Sequence, residues 1–220
     1  MLSDTRRIAN ARPTARESLR AATHDVHMRL HRHPSFERMA DGTIAEEAYK
    51  HLLARLYGFH APLETVLFEA ASDLAIDVDI NRRRRVHRLR DDLLALQLTE
   101  AQIDALPSVV ALPTLTTRGS LMGALYVREG STLGGRVLAR GLDGLLGSAS
   151  LRGRQYLTGN PDEHGLWQSC CLLIEEVAVD GHLDDMIASA IDTFVALETW
   201  LTKDQDDRQP DDYSRRPHEL

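Results

Sequence analysis

Three histidines stand at His24, His27 and His31 in the segment LRAATHDVHMRLH, spaced i, i+3 and i+7. Imidazoles on successive turns of one helix can share a divalent metal ion, or one of them can reach a buried site alone. A helical wheel separates the three. Leu19, Ala22, Thr23, Val26 and Leu30 form an apolar stripe, and from Leu19 His27 lies at about 80°, Arg20 at about 100°, His31 at about 120° and His24 at about 140°. His27 is therefore the histidine nearest the core. Arg20 stands beside it, where a guanidinium would meet acidic groups at the rim of a buried site. No acidic cluster and no HExxH spacing supplies further metal ligands, so a surface run is the simpler account of His24 and His31.

A second segment breaks the rules of ordinary scaffold. GSLMGALYVREGSTLGGRVLARG, from Gly119 to Gly141, has helical periodicity yet contains six glycines. Each costs about 1 kcal/mol relative to alanine inside a helix. Gly119, Gly123, Gly130, Gly134 and Gly141 share one face with Tyr126, Val127 and Val137, whereas Gly135 points away. A face stripped of side chains admits something close to the backbone, either a neighbouring helix or a flat ligand. The Gly134-Gly135 pair also predicts a bend.

Both segments need a scaffold to hold them. Capping-box spacing at Thr14/Glu17, Thr43/Glu46 and Thr99/Gln102, with Asn160-Pro161 and Glu163, marks helix starts. Strand patterns are nearly absent. The periodicity predicts helices near 14 to 32, 43 to 57, 60 to 75, 79 to 97, 99 to 106, 118 to 146, 161 to 179 and 183 to 202. Breaks are expected at Asp41-Gly42, Pro62, Pro107 to Pro113 and Asp180-Gly181. With 220 residues and no linker or repeat, this is a single all-α domain over 14 to 202, with a flexible lead at 1 to 13 and a polar, disordered tail at 203 to 220.

Composition narrows the function classes. Twenty-six basic against 33 acidic residues leave a net charge of −7, which argues against a nucleic-acid or anionic-membrane binder. No run is long enough to span a membrane, and no signal-peptide core precedes the first helix. The adjacent Cys170 and Cys171 read as reduced, packed side chains in a cytoplasmic protein. Six arginines between Arg82 and Arg90 read either as a solvated helix face or as a dock for an acidic partner.

Together the histidine and glycine segments resemble the heme (haem) oxygenase family, in particular its bacterial, biliverdin-producing branch. The resemblance is carried by Leu19, Ala22, Thr23 and His27, by YGFHAPLE at Tyr57 to Glu64, and most strongly by GALYVREGSTLGGRVL at Gly123 to Leu138. A weaker likeness extends to Phe194, Leu197, Glu198 and Trp200. It implies heme b, both cofactor and substrate, sandwiched between a proximal helix and a kinked, glycine-rich distal helix. His27 matches the axial iron ligand; Arg20, Tyr126, Gly130, Gly134 and Gly135 match cofactor-binding positions, and Gly130, Ser131 and Gly134 the distal catalytic segment. The implied reaction opens heme to biliverdin, carbon monoxide and ferrous iron with O2 as co-substrate. Electrons would come from a ferredoxin, a flavodoxin or a reductase, and a bacteriophytochrome could receive the product.

The pattern departs from the family at two places. Animal members carry an aspartate where this chain has Ser131, which can donate or accept but bears no charge. Their basic residues on a later helix also have no counterpart between Trp167 and Glu176, which leaves Arg20 as the one transferable propionate partner. Two further readings stand beside the enzyme. One is a heme-binding sensor or carrier without turnover, and the other a thiaminase-like relative, whose catalytic cysteine and acidic residues find no convincing match here.

Overall fold

The structure, a computed structural model, describes residues 13–160 and 164–206. The lead at 1 to 12, the Pro161/Glu163 helix start and the tail beyond 206 lie outside the described residues. Twelve helices in chain order are α1 (Ala15–Ala22), α2 (His24–His31), α3 (Pro34–Ala40), α4 (Glu46–Asp73), α5 (Ile80–Arg83), α6 (Val86–Ala95), α7 (Glu100–Asp104), α8 (Arg118–Arg140), α9 (Asp143–Leu146), α10 (Gln155–Thr158), α11 (His164–Val177) and α12 (Leu183–Asp206). Among the described residues there is no strand, and no helix is long and apolar enough to cross a membrane.

Local chemistry accounts for most of the boundaries. Thr14 and Thr99 form the expected capping boxes, and Thr117 with Ser120 forms another at the start of α8. Thr43/Glu46 does not, because α4 begins two residues later than that spacing requires, with Ala45 at its N-cap. A π-helical turn at Ala178–His182, with Gly181 at φ +88, joins α11 to α12 at the expected break.

Pro62 does not end α4, contrary to the expectation from its ring. The carbonyl of Gly58, deprived of its usual donor, accepts instead from the Val109 amide at 3.0 Å. Buried Phe59 and Leu63 on either side hold the helix against the core. The reverse error occurs at 79 to 97. One periodic run is cut at Arg84-Arg85, where Glu64 accepts the amides of Arg85 (2.9 Å) and Val86 (3.3 Å) and starts α6 afresh. Short α3 and α10 escape sequence reading altogether.

The core gathers around α8, which packs on α12, α11, α10, α4 and α3. Its buried Leu121, Met122, Ala124, Leu125 and Val127 contribute about 1.5–3 kcal/mol for each large side chain. A Cβ on Gly123 would lie 2.2 Å from the Met186 carbonyl, and one on Gly119 2.5 Å from that of His182. Those glycines exist to let α12 approach. Gly141 meets Met39 at the end of α3 in the same way. α8 stays helical through Gly134 and Gly135, where the glycine pair predicts a bend.

Candidate functional site

The proximal segment is anchored from its buried side. Leu19, Thr23, Val26 and Leu30 are buried as the wheel requires, but Ala22 is exposed, because the helix is interrupted at Thr23 and the stripe shifts there. Thr23 Oγ1 donates to the Leu19 carbonyl at 2.8 Å, which suits this break. Glu175 of α11 accepts the Ala15 and Arg16 amides at 2.9 and 3.0 Å, and Arg29 forms a two-pronged pair with Glu198 of α12 at 2.7 and 2.9 Å. These contacts set where His27 stands.

His27 is exposed, with one edge of its ring desolvated against α12. Its ring meets Phe194 edge-on at 5.8 Å and His31 at 4.5 Å. Burial first, then the neighbouring His31 and His24, hold its pKa below the ordinary imidazole value. At neutral pH the ring is uncharged and offers a lone pair. Among the described residues no group of three or more side chains is arranged to hold a bare metal ion, so the three-histidine site is not formed.

Tyr126 shows which face of α8 opposes this segment. Its hydroxyl pairs with Thr23, near the charges of Arg20 and Arg16, and burial raises the phenol's pKa. Its ring lies 5.8 Å from Trp167. Helix direction then places the rest. Gly119 and Gly123 meet successive stretches of α12, and so do His27 (at Phe194) and Arg29 (at Glu198), so α2 and α8 run in the same sense along α12. α2 and α8 both pack on α12 more than on each other.

Little packs on Gly130 and Gly134, the floor of the candidate site. A Cβ on Gly134 would meet nothing within 4 Å, and one on Gly130 only the Trp167 ring at 3.7 Å. Leu133 (48% exposed) and Val137 (62%) share this side of α8, an apolar surface turned away from the core. The glycine face thus serves both purposes the sequence allowed: packing at Gly119, Gly123 and Gly141, and open surface at Gly130 and Gly134. Gly135 belongs to neither face, since its Cβ position lies 3.0 Å from the Leu157 carbonyl of α10. Ser131 is exposed, and its hydroxyl donates to the Arg128 carbonyl at 2.7 Å.

Behind the floor lies a charge cluster that sequence reading missed. Arg128 pairs with Glu64 and Glu129 at 2.7 Å each, and Glu129 also takes Arg83 (3.2 Å) and Arg85 (3.3 Å). Arg83 reaches on to the Leu166 carbonyl and Ser169, beside Trp167. Arg83 and Arg85 are therefore core residues, which corrects the reading of Arg82 to Arg90 as one solvated strip or dock. Arg82 and Arg84 are exposed, Arg88 is half-exposed, and Arg90 is engaged by Asp104 and Glu100. His60 is likewise buried rather than superficial; burial, with Arg128 and Arg85 nearby, pushes its pKa down to about 3, so it stays neutral. Glu64 lay in the motif YGFHAPLE, but nothing in the sequence paired it with Arg128.

Three comparisons bear on this geometry. The family model for heme oxygenase matches residues 14–203. The structure is similar to that of heme oxygenase-1 from the cyanobacterium Synechocystis sp. PCC6803 in complex with heme, with a TM-score of 0.64 at 15% identity, covering 89% of this chain and 94% of that one. A search of curated proteins finds no match. A family match running from α1 into the last turns of α12, on an all-α fold of this kind, shows that the chain belongs to the heme oxygenase family.

Proposed function

We propose that the protein binds heme between α2 and the second half of α8, with His27 on the iron, and opens it to biliverdin, carbon monoxide and ferrous iron. The observation that carries this reading is a neutral, exposed imidazole on α2, together with two helical glycines of α8 whose side-chain space is empty or bounded by one ring. A flat apolar ligand suits such a space.

Bound heme supplies both an iron that activates dioxygen and the ring that is oxidised. The chain's contribution is position. His27 offers its lone pair, Phe194 fixes the plane of its ring, and the Arg29–Glu198 pair keeps α2 from shifting. Arg20, beside the Tyr126 hydroxyl, provides positive charge for a propionate. Gly130 and Gly134 keep bulky side chains away from the reacting edge and leave backbone there. Ser131 commits its proton to the Arg128 carbonyl, so towards a distal water it acts as an acceptor. Electrons would arrive from a ferredoxin, a flavodoxin or a reductase, in the cytoplasm, and a bacteriophytochrome is a fitting recipient for biliverdin.

The uncharged, occupied Ser131 hydroxyl favours one second reading, a sensor or carrier that binds heme without turnover. Titration with hemin decides both. A Soret band that His27→Ala abolishes is expected, followed by a green bilin when reductant and oxygen are added. No Soret band would overturn both readings, and a stable band without bilin would leave the second.

A further inference from the structure

Asp92 of α6 is a carboxylate with no exposure. Its Oδ1 accepts the Gln155 amide and its Oδ2 the Tyr156 amide, both at 2.8 Å. These are the first two N–H groups of α10, whose own N-cap residue, Arg154, offers no side-chain cap. α10 in turn presses on α8, because the Leu157 carbonyl and Cα lie 3.0 and 3.4 Å from the Cβ position of Gly135. Gly135 adjoins Gly134 on the floor of the candidate site. The same end of α10 is fastened by its N-cap residue Arg154, which donates to the Ala139 carbonyl (2.8 Å), Asp143 (2.6 Å) and the Gly147 carbonyl (2.6 Å).

We infer that Asp92 is a positioning residue for the distal glycines, acting through α10. The inference rests on reading α8 as the wall of the heme site. Only the anion accepts at both oxygens with full strength, since charge-assisted bonds are roughly twice as strong as neutral ones. Facing Asp92 are Asp91 and Arg88 on its own helix, Tyr49 on α4, which also feels Arg154, and the backbone of α10. Burial raises its pKa to about 6 against the two amide bonds, with Asp91 adding to the rise and Arg88 opposing it. Because protonation is favoured in the folded state, acid releases α10 without this group lowering global stability.

The test is hydrogen exchange on the full, heme-free chain between pH 8 and pH 5, corrected for intrinsic rates. Wild-type protection should fall about tenfold in the peptides covering 153 to 159 and 131 to 140, with a midpoint near pH 6 and no change at 24 to 31. Asp92→Asn should show the loosened state already at pH 8 and no further step. Loosening of α10 without residues 131 to 140 would overturn the coupling, as would uniform loosening or no step in wild type. Should Asp92→Asn fail to fold, the wild-type titration decides by itself. In the ferrous heme complex, the infrared band of bound carbon monoxide should shift over the same range, and a band that ignores pH would overturn the distal role. Exchange needs no heme, so its outcome is independent of whether heme binds.

Discussion

Alanine at two glycines of α8 should have opposite effects on stability, for reasons that can be measured. Gly134 has a helical backbone and nothing within 4 Å of its Cβ position, so Gly134→Ala gains helix propensity without a clash. The gain is about 0.5–1 kcal/mol, which for a chain of this size raises the heme-free Tm by about 1–4 °C. Gly123→Ala places its methyl 2.2 Å from the Met186 carbonyl and 2.9 Å from the Ala190 amide. Those are backbone atoms that cannot swing aside, and an overpacking cost of about 1–3 kcal/mol lowers Tm by roughly 2–10 °C. If Gly134 is bare to admit heme, the stabilised variant must lose what the wild type gains. A methyl against the ring should weaken hemin binding about 5- to 150-fold, the equivalent of the same overpacking range. Thermal unfolding of the heme-free protein and Soret titration read the two quantities separately. A Gly134→Ala variant that is less stable, or that is more stable with unchanged hemin affinity, would refute the reasoning.

Further outcomes follow from the buried and titrating groups. Glu129→Ala leaves three neighbouring guanidiniums facing one carboxylate, and denaturant unfolding should show a loss of about 3–5 kcal/mol. Arg82→Glu with Arg84→Glu should slow turnover driven by ferredoxin but not by ascorbate, less so at high salt, whereas Arg83→Glu should unfold the protein because Arg83 is buried; equal effects on both donors would remove the docking idea. The lowered pKa of His27 extends its neutral window towards acid, so the Soret band should persist below pH 6.5 and fade only at lower pH; complete loss by pH 6.5 would contradict that shift.

Some of the site was legible in one dimension because helical periodicity is local. The wheel placed His27 at the core edge, and glycines in a helix are costly enough to announce a steric purpose. Periodicity cannot say what lies opposite a face. It gave Gly119 and Gly130 the same standing, yet one receives a backbone and the other only the edge of the Trp167 ring. It read Arg83 and Arg85 as surface for the same reason, since a charge looks solvated until Glu64 and Glu129, far away in the chain, are brought beside it.

The amino-acid sequence by itself determined the helical class, most element positions and a glycine-rich face on α8, all set by neighbours within a few turns. Tertiary structure alone decided that Pro62 is tolerated, because Val109 satisfies the carbonyl it orphans, and that Asp92 holds α10 against Gly135. These depend on hydrogen bonds and close approaches between segments tens of residues apart, and no local pattern encodes a partner at that separation.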